Sequence, residues 1–209
     1  MPKSIFVYLV ALFFLIGSVL FLSSFFLNSS SSESLKQNDE IVFEAKNISI
    51  NLGFKNSDFV LKVKSSMINS LKEQKNLFVY EPKIDISGKN TFLKIISNKG
   101  KIAYDKNLVQ LENKTEISGK ANEKIISGKA GKIDIDLNKR ILSSNELILF
   151  IDKYEISVEE IILNEDELVF KGSPIYLRDN EGLATETSLV KLKSNGELIF
   201  PSKLNIKNY

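Results

Sequence analysis

Two patterns of hydrophobic and polar positions divide the chain. An unbroken apolar run covers residues 5–27 and contains no charged side chain. From residue 41 onward, short apolar segments alternate with polar side chains and are separated by Asn, Asp, Gly and Lys. A long apolar run predicts a membrane-spanning helix, whereas alternation with a period of two predicts half-buried β-strands. The sequence therefore predicts a membrane anchor followed by a β-rich domain.

The apolar run is long enough to cross a bilayer, because a helix rises about 1.5 Å per residue. A cleaved signal peptide is the weaker interpretation, since its apolar core is shorter and residues 25–28 (Phe-Phe-Leu-Asn) are unlike a cleavage site. A buried core helix would usually carry a polar face. Lys3 precedes the run and Glu33 follows it. The positive-inside rule therefore places the N-terminus in the cytoplasm and everything after Asn28 across the membrane.

The composition after the run predicts two further regions. Residues 28–40 are polar and rich in serine, which is typical of a flexible tether. Residues 41–209 are numerous enough for one domain of ordinary size. We therefore expect an anchor over residues 1–27, a tether over residues 28–40 and a single extracytoplasmic domain over residues 41–209.

Strand character is clearest near the start of this domain. Phe59, Leu61 and Val63 alternate with charged or polar residues, which places the three on one face of a strand. The segment 67–74 is compatible with either a short helix or a continuing strand. Strand character returns at residues 77–80 and is interrupted by Pro82.

Three short motifs recur at a spacing of 31 positions, which indicates an internal repeat. The recurring pairs are Ser87-Gly88-Lys89 with Ser118-Gly119-Lys120, Gly100-Lys101-Ile102 with Gly131-Lys132-Ile133, and Asp105 with Asp136. Each unit reads as a strand, a polar loop and a hairpin. The predicted hairpins turn at residues 105–107, 138–139, 164–166 and 194–196, where Asn, Asp and Gly tolerate a left-handed backbone. The pattern predicts an all-β, antiparallel meander of about a dozen or more short strands.

The amino-acid composition excludes several kinds of metal site and catalytic site. The net charge is +2, and the chain contains no histidine, cysteine or tryptophan. Common zinc sites, thiol nucleophiles and Ser-His or Cys-His arrangements are therefore excluded. A nearly balanced charge gives no reason to expect a nucleic acid partner.

Motifs that would indicate catalysis are absent. Gly128-Lys129-Ala130-Gly131 lacks the spacing of a phosphate-binding loop and is interpreted as a turn between strands. Asp134 and Asp136 share a strand face, which is more typical of a solvated surface than of a cation site. Asn113-Lys114-Thr115 matches a glycosylation acceptor, a pattern that is frequent by chance. We expect no catalytic residue, no metal site and no cofactor, and hence a protein that is not an enzyme.

The layout of an apolar anchor, a polar tether and a repeated β domain resembles the LptC family, the membrane-anchored periplasmic component of the lipopolysaccharide export system. The run from Gly100 to Leu111 resembles the strand-turn-strand unit of that family, and so does Lys132 to Leu137 followed by Ile141 to Ser144. The segment from Phe170 to Ile175 resembles the closing section of its domain. The resemblance rests on scattered glycines, on turns that contain Asp or Asn, and on alternating β-branched residues.

The resemblance implies a twisted β-jellyroll or open sandwich with an apolar groove between its layers. It implies a non-enzymatic carrier that accepts lipopolysaccharide from inner-membrane ABC transporter subunits and passes it to a soluble periplasmic β-jellyroll partner. It also implies an inner-membrane, single-pass localisation with the C-terminal domain in the periplasm. No cofactor is implied.

Two sets of residues follow as candidates for this function. Candidates for the lipid-binding groove were chosen by apolar character and strand position: Phe59, Leu61, Val63, Phe78, Leu111, Ile135, Leu149 and Phe170. Candidates for a partner-binding edge strand come from the last two predicted strands: Leu189, Val190, Leu192, Leu198 and Phe200.

Two other classes of function stay open. A membrane-anchored β-repeat scaffold that binds proteins would have an interior filled by its own side chains. A carbohydrate-acting enzyme on a β framework would need two carboxylates facing one cleft, and no such pair stands out in the sequence.

Overall fold

The computed structural model describes residues 41–71, 75–178, 184–200 and 205–207. Antiparallel strands make up this part of the chain, and it contains no helix. The strands are β1 (Ile41–Gly53), β2 (Val60–Leu71), β3 (Asn76–Tyr80), β4 (Lys83–Ser87), β5 (Thr91–Ile96), β6 (Lys99–Ala103), β7 (Leu108–Ala121), β8 (Lys124–Asp136), β9 (Ile141–Ile151), β10 (Tyr154–Leu163), β11 (Glu167–Arg178), β12 (Ala184–Lys193), β13 (Leu198–Ile199) and β14 (Asn205–Lys207). The predicted all-β, antiparallel fold is confirmed for these residues.

All strands belong to one sheet. From β13 to β7 the spatial order follows the sequence order in reverse, as in a meander. The four predicted turns lie between strands, at β6–β7, β8–β9, β10–β11 and β12–β13. The ambiguous segment 67–74 is a strand as far as Leu71. These turns form where the sequence places Asn, Asp or Gly, and Asn107 adopts a φ of 51°.

Many strands are longer than the alternation suggested, because several predicted strands join into one. Gly128-Lys129-Ala130-Gly131, which we expected to be a turn, lies inside β8. A side chain at Gly128 would meet the Ile148 carbonyl oxygen at 2.5 Å, so this glycine permits β9 to approach closely. The turn prediction for these four residues was therefore wrong, and its physical cause is a glycine used for strand packing.

Most of the long strands change pairing register in the middle. β7 shifts against β8 between Glu112 and Thr115, and β11 shifts against β12 between Lys171 and Ile175. β10 shifts against both of its neighbours near Glu160. Such bulges bend a strand and increase its twist. Each of these strands is thereby divided into two segments.

The pairings of β2 and β7 show that these segments form two half-sheets. β2 pairs with β4 through its first residues, Val60–Lys64, and with β3 through Met67–Ser70. β7 pairs with β6 through Leu108–Glu112 and with β5 through residues 116–121. We call the part containing β3, β6 and β13 half-sheet I, and the part containing β4, β5 and β14 half-sheet II. The long strands contribute one segment to each.

Buried hydroxyl groups occupy the line where the strands pass from one half-sheet to the other. The Ser65 hydroxyl lies 2.7 Å from the Tyr80 carbonyl oxygen and accepts a hydrogen bond from the Tyr80 N–H at 3.1 Å. Ser97 donates to the Glu112 carbonyl oxygen at 2.6 Å, and fully buried Thr115 donates to Ser97. In β12, the Thr187 hydroxyl donates to the Leu189 carbonyl oxygen at 3.1 Å. The hydroxyls of Ser65, Ser97 and Thr187 bind backbone groups where strands bend or exchange partners, and Thr115 binds the Ser97 hydroxyl.

The core lies between the half-sheets. Inward side chains of both half-sheets belong to one continuous hydrophobic cluster. Ile133, Leu142 and Leu163 contribute from half-sheet I, and Ile117 and Leu147 contribute from half-sheet II. Alternation along each strand leaves the opposite faces to solvent.

Candidate functional site

Seven of the eight predicted groove residues lie in the shared interior. Phe59, Leu61, Val63, Leu111, Ile135, Leu149 and Phe170 all belong to the core cluster, and each is at most 2% exposed. Leu111, Ile135 and Phe170 come from half-sheet I, and Leu61, Val63 and Leu149 come from half-sheet II. The structure thus brings together residues that are far apart in sequence, on the inner faces of the two half-sheets.

Phe59 closes the interior beside the β1–β2 loop. Its ring makes an edge-to-face contact with Phe54, with centroids 6.2 Å apart. The ring also lies against Gly88 in the β4–β5 turn, where an added Cβ would meet the Phe59 ring at 2.5 Å. Gly88 is therefore needed for close approach to an aromatic ring.

Phe78 is placed differently from the other candidates. Its neighbours Leu77 and Val79 pack on the core, and Val79 is 1% exposed. Alternation along β3 therefore turns Phe78 to the outer face of half-sheet I. There the Lys101 ammonium lies 5.8 Å from the centre of the Phe78 ring. Phe78 is thus half-buried on the outer face, and Val79 occupies the inward position.

Turns of the two half-sheets meet along one side of the domain, opposite the line of buried hydroxyls. The Lys55 N–H donates to the Leu137 carbonyl oxygen at 3.0 Å, and the Asn122 side chain donates to the Leu192 carbonyl oxygen at 3.2 Å. We call the line of these contacts the seam. In the described part of the chain, access from solvent to the apolar interior by separating the half-sheets requires these contacts to break.

An aromatic contact extends the seam. Tyr154 begins β10 in half-sheet II, and Phe200 follows β13 in half-sheet I. Their ring centroids are 6.3 Å apart in an edge-to-face arrangement. Both side chains are partly buried against the core. The side chains at the seam are therefore partly apolar, and the seam borders the interior directly.

The predicted edge residues lie on two strands with different roles. Leu189, Val190 and Leu192 belong to β12, which pairs with β11 on one side and with β13 and β14 on the other. Val190 and Leu192 are fully buried in the core. Leu198 and Phe200 lie in and just after β13, which ends the strand order of the sheet. β13 and β14 therefore cover only the two ends of this side of β12, and among the described residues no strand pairs with β12 between Glu186 and Lys191 on this side.

The opposite end of the sheet has an edge that the sequence analysis did not single out. β1 pairs with β2 along its whole length, and its other side pairs with no strand among the described residues. Ile41 and Phe43 on this strand are 50% and 52% exposed. The signal available in the sequence was the apolar segment at residues 41–43, which precedes the clearest alternation.

Clefts on the outer surface are polar. A cleft of about 630 Å³ lies where β8, β9 and β10 bend, and its lining includes Lys132, Asp134, Glu146 and Glu159. Asp134 accepts a hydrogen bond from Gln110 at 3.1 Å and pairs with Lys132 at 3.3 Å. Within the described ranges, no group of three or more acidic, histidine or cysteine side chains is arranged to hold a metal ion.

Asp136 has a local structural role. Its carboxylate accepts hydrogen bonds from the backbone N–H groups of Asn138 and Lys139 at 3.0 and 2.9 Å. It therefore stabilises the β8–β9 turn. The same turn stacks on its repeat counterpart, since the Asn107 side chain donates to Asn138, 31 positions later, at 3.3 Å.

The sequence analysis missed the buried hydroxyls. Thr115 occupies an inward position between Leu111 and Ile117, so a polar residue interrupts an apolar series there. The preceding residues Asn113 and Lys114 adopt φ angles of 66° and 61°. The apparent glycosylation acceptor at residues 113–115 is therefore the bulge that bends β7.

Two further observations concern the chain as a whole. No helix in the part of the chain that the structure describes is long and apolar enough to span a membrane, and the predicted anchor at residues 5–27 lies outside that part, as does the predicted tether at residues 28–40. No protein-family model and no curated protein matches the chain.

Proposed function

We propose that this protein is a non-enzymatic carrier of lipopolysaccharide, anchored in the inner membrane, with its β domain in the periplasm. In this proposal the two half-sheets form an open jellyroll, and the space between them receives the acyl chains of the lipid. The observation that carries the proposal is the continuous apolar interior shared by two half-sheets and bordered by the seam. The sequence layout, which resembles the LptC family, agrees with it.

Acyl chains enter the interior through the seam. Moving a chain of about ten methylenes from water into an apolar environment is favourable by about 8 kcal/mol. The seam is held in part by the hydrogen bonds of Lys55 and Asn122, each of which stabilises a folded protein by about 0.5–1.5 kcal/mol. In this proposal the lipid opens the seam, and its acyl chains replace the contacts that interior side chains such as Leu111 and Phe170 lose when the half-sheets separate. The bends at the bulges act as the hinge.

The β13 end of the sheet is the exit. There Leu198 and Phe200 present the edge on which a soluble periplasmic β-jellyroll partner adds a strand by main-chain hydrogen bonding. Inner-membrane ABC transporter subunits supply the lipid, and the apolar segment at residues 5–27 holds the chain beside them. No cofactor takes part.

A charged residue in the interior tests the proposal. In the full chain, Leu111→Lys is expected to reduce retained lipopolysaccharide at least tenfold, because an unpaired buried charge costs well over 1.4 kcal/mol. Retention is measured by capturing the protein in mild detergent and quantifying the lipid that stays bound. Leu111→Met, which keeps the apolar volume, is expected to retain lipid.

The neighbouring position supplies the matched control. Gln110→Lys places the same charge on the outer face, beside the Asp134 carboxylate, and is expected to bind lipid as the wild type does. Thermal unfolding of each variant separates loss of the fold from loss of binding. A wild-type chain without bound lipid, or a folded Leu111→Lys chain with full retention, would contradict the carrier function.

A protein-binding scaffold is the second candidate. It is favoured by the packing of the interior, in which the seven groove candidates are at most 2% exposed. A scaffold uses the edges β1 and β13 alone, and its interior stays closed. It therefore predicts normal partner binding and no retained lipid for the wild-type chain.

A further inference from the structure

The outer face of half-sheet II carries an ordered arrangement of basic and apolar side chains. The strand pairings align a row of residues across five strands, β2, β4, β5, β7 and β8. The row consists of Val60, Ser87, Phe92, Lys120 and Ile125. All five residues are exposed. We call them the rim row, because they lie next to the turns that end half-sheet II.

Three members of the rim row are large and apolar. Val60, Phe92 and Ile125 are 45%, 48% and 71% exposed. They lie two strands apart, which corresponds to about 10 Å between successive members. Burial in the core does not explain them, since their neighbours Leu61, Leu93 and Ile126 are the inward residues. They form an apolar stripe on the surface.

Lysines surround this stripe. On the outer face of the same five strands there are six lysines and two carboxylates, which leaves an excess of four positive charges. The lysines are Lys62, Lys64, Lys83, Lys94, Lys120 and Lys129, and the carboxylates are Asp85 and Glu116. Among the described residues, only Lys64 of the six forms an ion pair, with Asp85 at 3.3 Å.

The outer face of half-sheet I also carries lysines, but its carboxylates are almost equal to them in number. Its Lys132 and Lys191 form ion pairs with Asp134 and Glu167 at 3.3 and 2.9 Å. The excess of positive charge is therefore local to the outer side of β2, β4, β5, β7 and β8, since β9 and β10 of the same half-sheet carry Glu146 and Glu155 on their outer side, and the whole chain carries only +2. The uneven distribution predicts a single partner surface that is anionic and extended.

We propose that the outer face of half-sheet II docks on the surface of a membrane that contains anionic phospholipids. The lysines contact the phosphate groups, and Val60, Phe92 and Ile125 enter the headgroup region. Each lysine near an anionic surface strengthens binding about fivefold. Partly exposed aromatic side chains favour the same interface. This inference rests on the described β domain and is independent of the proposed lipid carriage.

Charge complementarity favours a membrane over a second copy of the chain. Two copies meeting through the rim row would bring both sets of lysines together, and like charges at an interface oppose association. An anionic bilayer instead offers a flat surface on which all six lysines find partners.

A single tryptophan tests the docking, because the natural chain contains none. The full chain carrying Phe92→Trp is reconstituted with vesicles of phosphatidylglycerol and phosphatidylethanolamine whose acyl chains are brominated. We expect the emission to shift to the blue and to be quenched. In phosphatidylcholine vesicles, and at about 1 M salt where the Debye length is about 3 Å, both effects should be lost.

Two comparisons make the result specific. Phe78→Trp places the same reporter on the outer face of half-sheet I, where no quenching is expected. A second variant combines Phe92→Trp with Lys62→Glu, Lys94→Glu and Lys120→Glu. Its affinity for the anionic vesicles should fall at least about 100-fold, since each lysine strengthens binding about fivefold.

Three results would overturn the proposal. They are equal quenching of the two reporters, quenching that is independent of lipid charge, and an emission shift that follows protein density and not lipid. The last result would show self-association through the rim row.

Discussion

At the scale of single residues, buried hydroxyl groups make the bent strands possible. A bulge leaves backbone N–H and C=O groups without ladder partners, and an unsatisfied buried group costs about 1–3 kcal/mol. The hydroxyls of Ser65, Ser97 and Thr187 bind backbone groups of Tyr80, Glu112 and Leu189, and the Thr115 hydroxyl donates to Ser97. Short hydroxyl side chains suit this role because they reach the adjacent backbone without occupying much of the core.

Removing one such hydroxyl should destabilise the domain. Ser65→Ala leaves the Tyr80 N–H without its partner, and we expect a loss of about 1–3 kcal/mol in the free energy of unfolding. Chemical denaturation measures it. Ser66→Ala is the matched control, because the Ser66 hydroxyl is exposed and water replaces it. A loss of similar size in both variants would contradict the role assigned to Ser65.

The contact between Gly88 and Phe59 gives a second prediction. Gly88→Ala places a methyl group 2.5 Å from the Phe59 ring, so the ring must move, and we expect about 1–3 kcal/mol of destabilisation. Gly131→Ala is the control, since nothing lies within 4 Å of an added Cβ there. Thermal unfolding of the two variants compares them. Equal melting temperatures would show that the Phe59 ring is not held against Gly88.

The sequence pattern predicted which face of many strands points toward the core. Alternation correctly placed Leu61, Val63 and Ile135 on inward positions, because one face of each strand is apolar. It could not place Phe78, since Leu77, Phe78 and Val79 are all apolar and the period is lost in a continuous apolar run. The tertiary neighbours of β3 decide its orientation.

At the scale of elements, the turns were predictable and the bends were not. Asn, Asp and Gly mark the turns because they tolerate a left-handed backbone. The bends occur at residues such as Asn113 and Lys114, whose φ angles are positive, whereas Gly128, which was mistaken for part of a turn, lies in a regular part of β8. A bulge differs from a turn only in where the following residues pair, and local sequence does not contain that information.

The bend in β7 can be tested directly. Lys114→Val forces a β-branched residue into a φ of 61°, and we expect a loss of about 1–2 kcal/mol in the free energy of unfolding. Lys114→Gly should be tolerated, because glycine adopts this conformation readily. Glu116→Val, two residues later on a regular exposed position, is expected to change stability by about 0.5 kcal/mol or less. Denaturation curves in which Lys114→Val matches Glu116→Val would contradict the bulge.

At the scale of the whole molecule, the arrangement of two half-sheets determines what the interior can hold. The antiparallel, all-β class followed from the repeated hairpins. The division into half-sheets depends on pairings between distant segments, such as β2 with β4 and β5 with β7, which no local pattern specifies. The same pairings bring the turns together at the seam. An interior enclosed in this way is continuous from Phe59 to Phe170.

Photo-crosslinking in cells tests the central claim, lipid carriage through this interior, most directly. The full chain carries a photoreactive phenylalanine analogue at Phe59 or Phe170, where an aromatic ring is already present, or at Ile135. It is expressed with membrane partners in a Gram-negative host. Glu165, in the turn between β10 and β11, is the exposed control position. We expect adducts that contain lipopolysaccharide at the three interior positions and none at Glu165. A folded protein with no interior adduct would contradict lipid carriage and favour the scaffold.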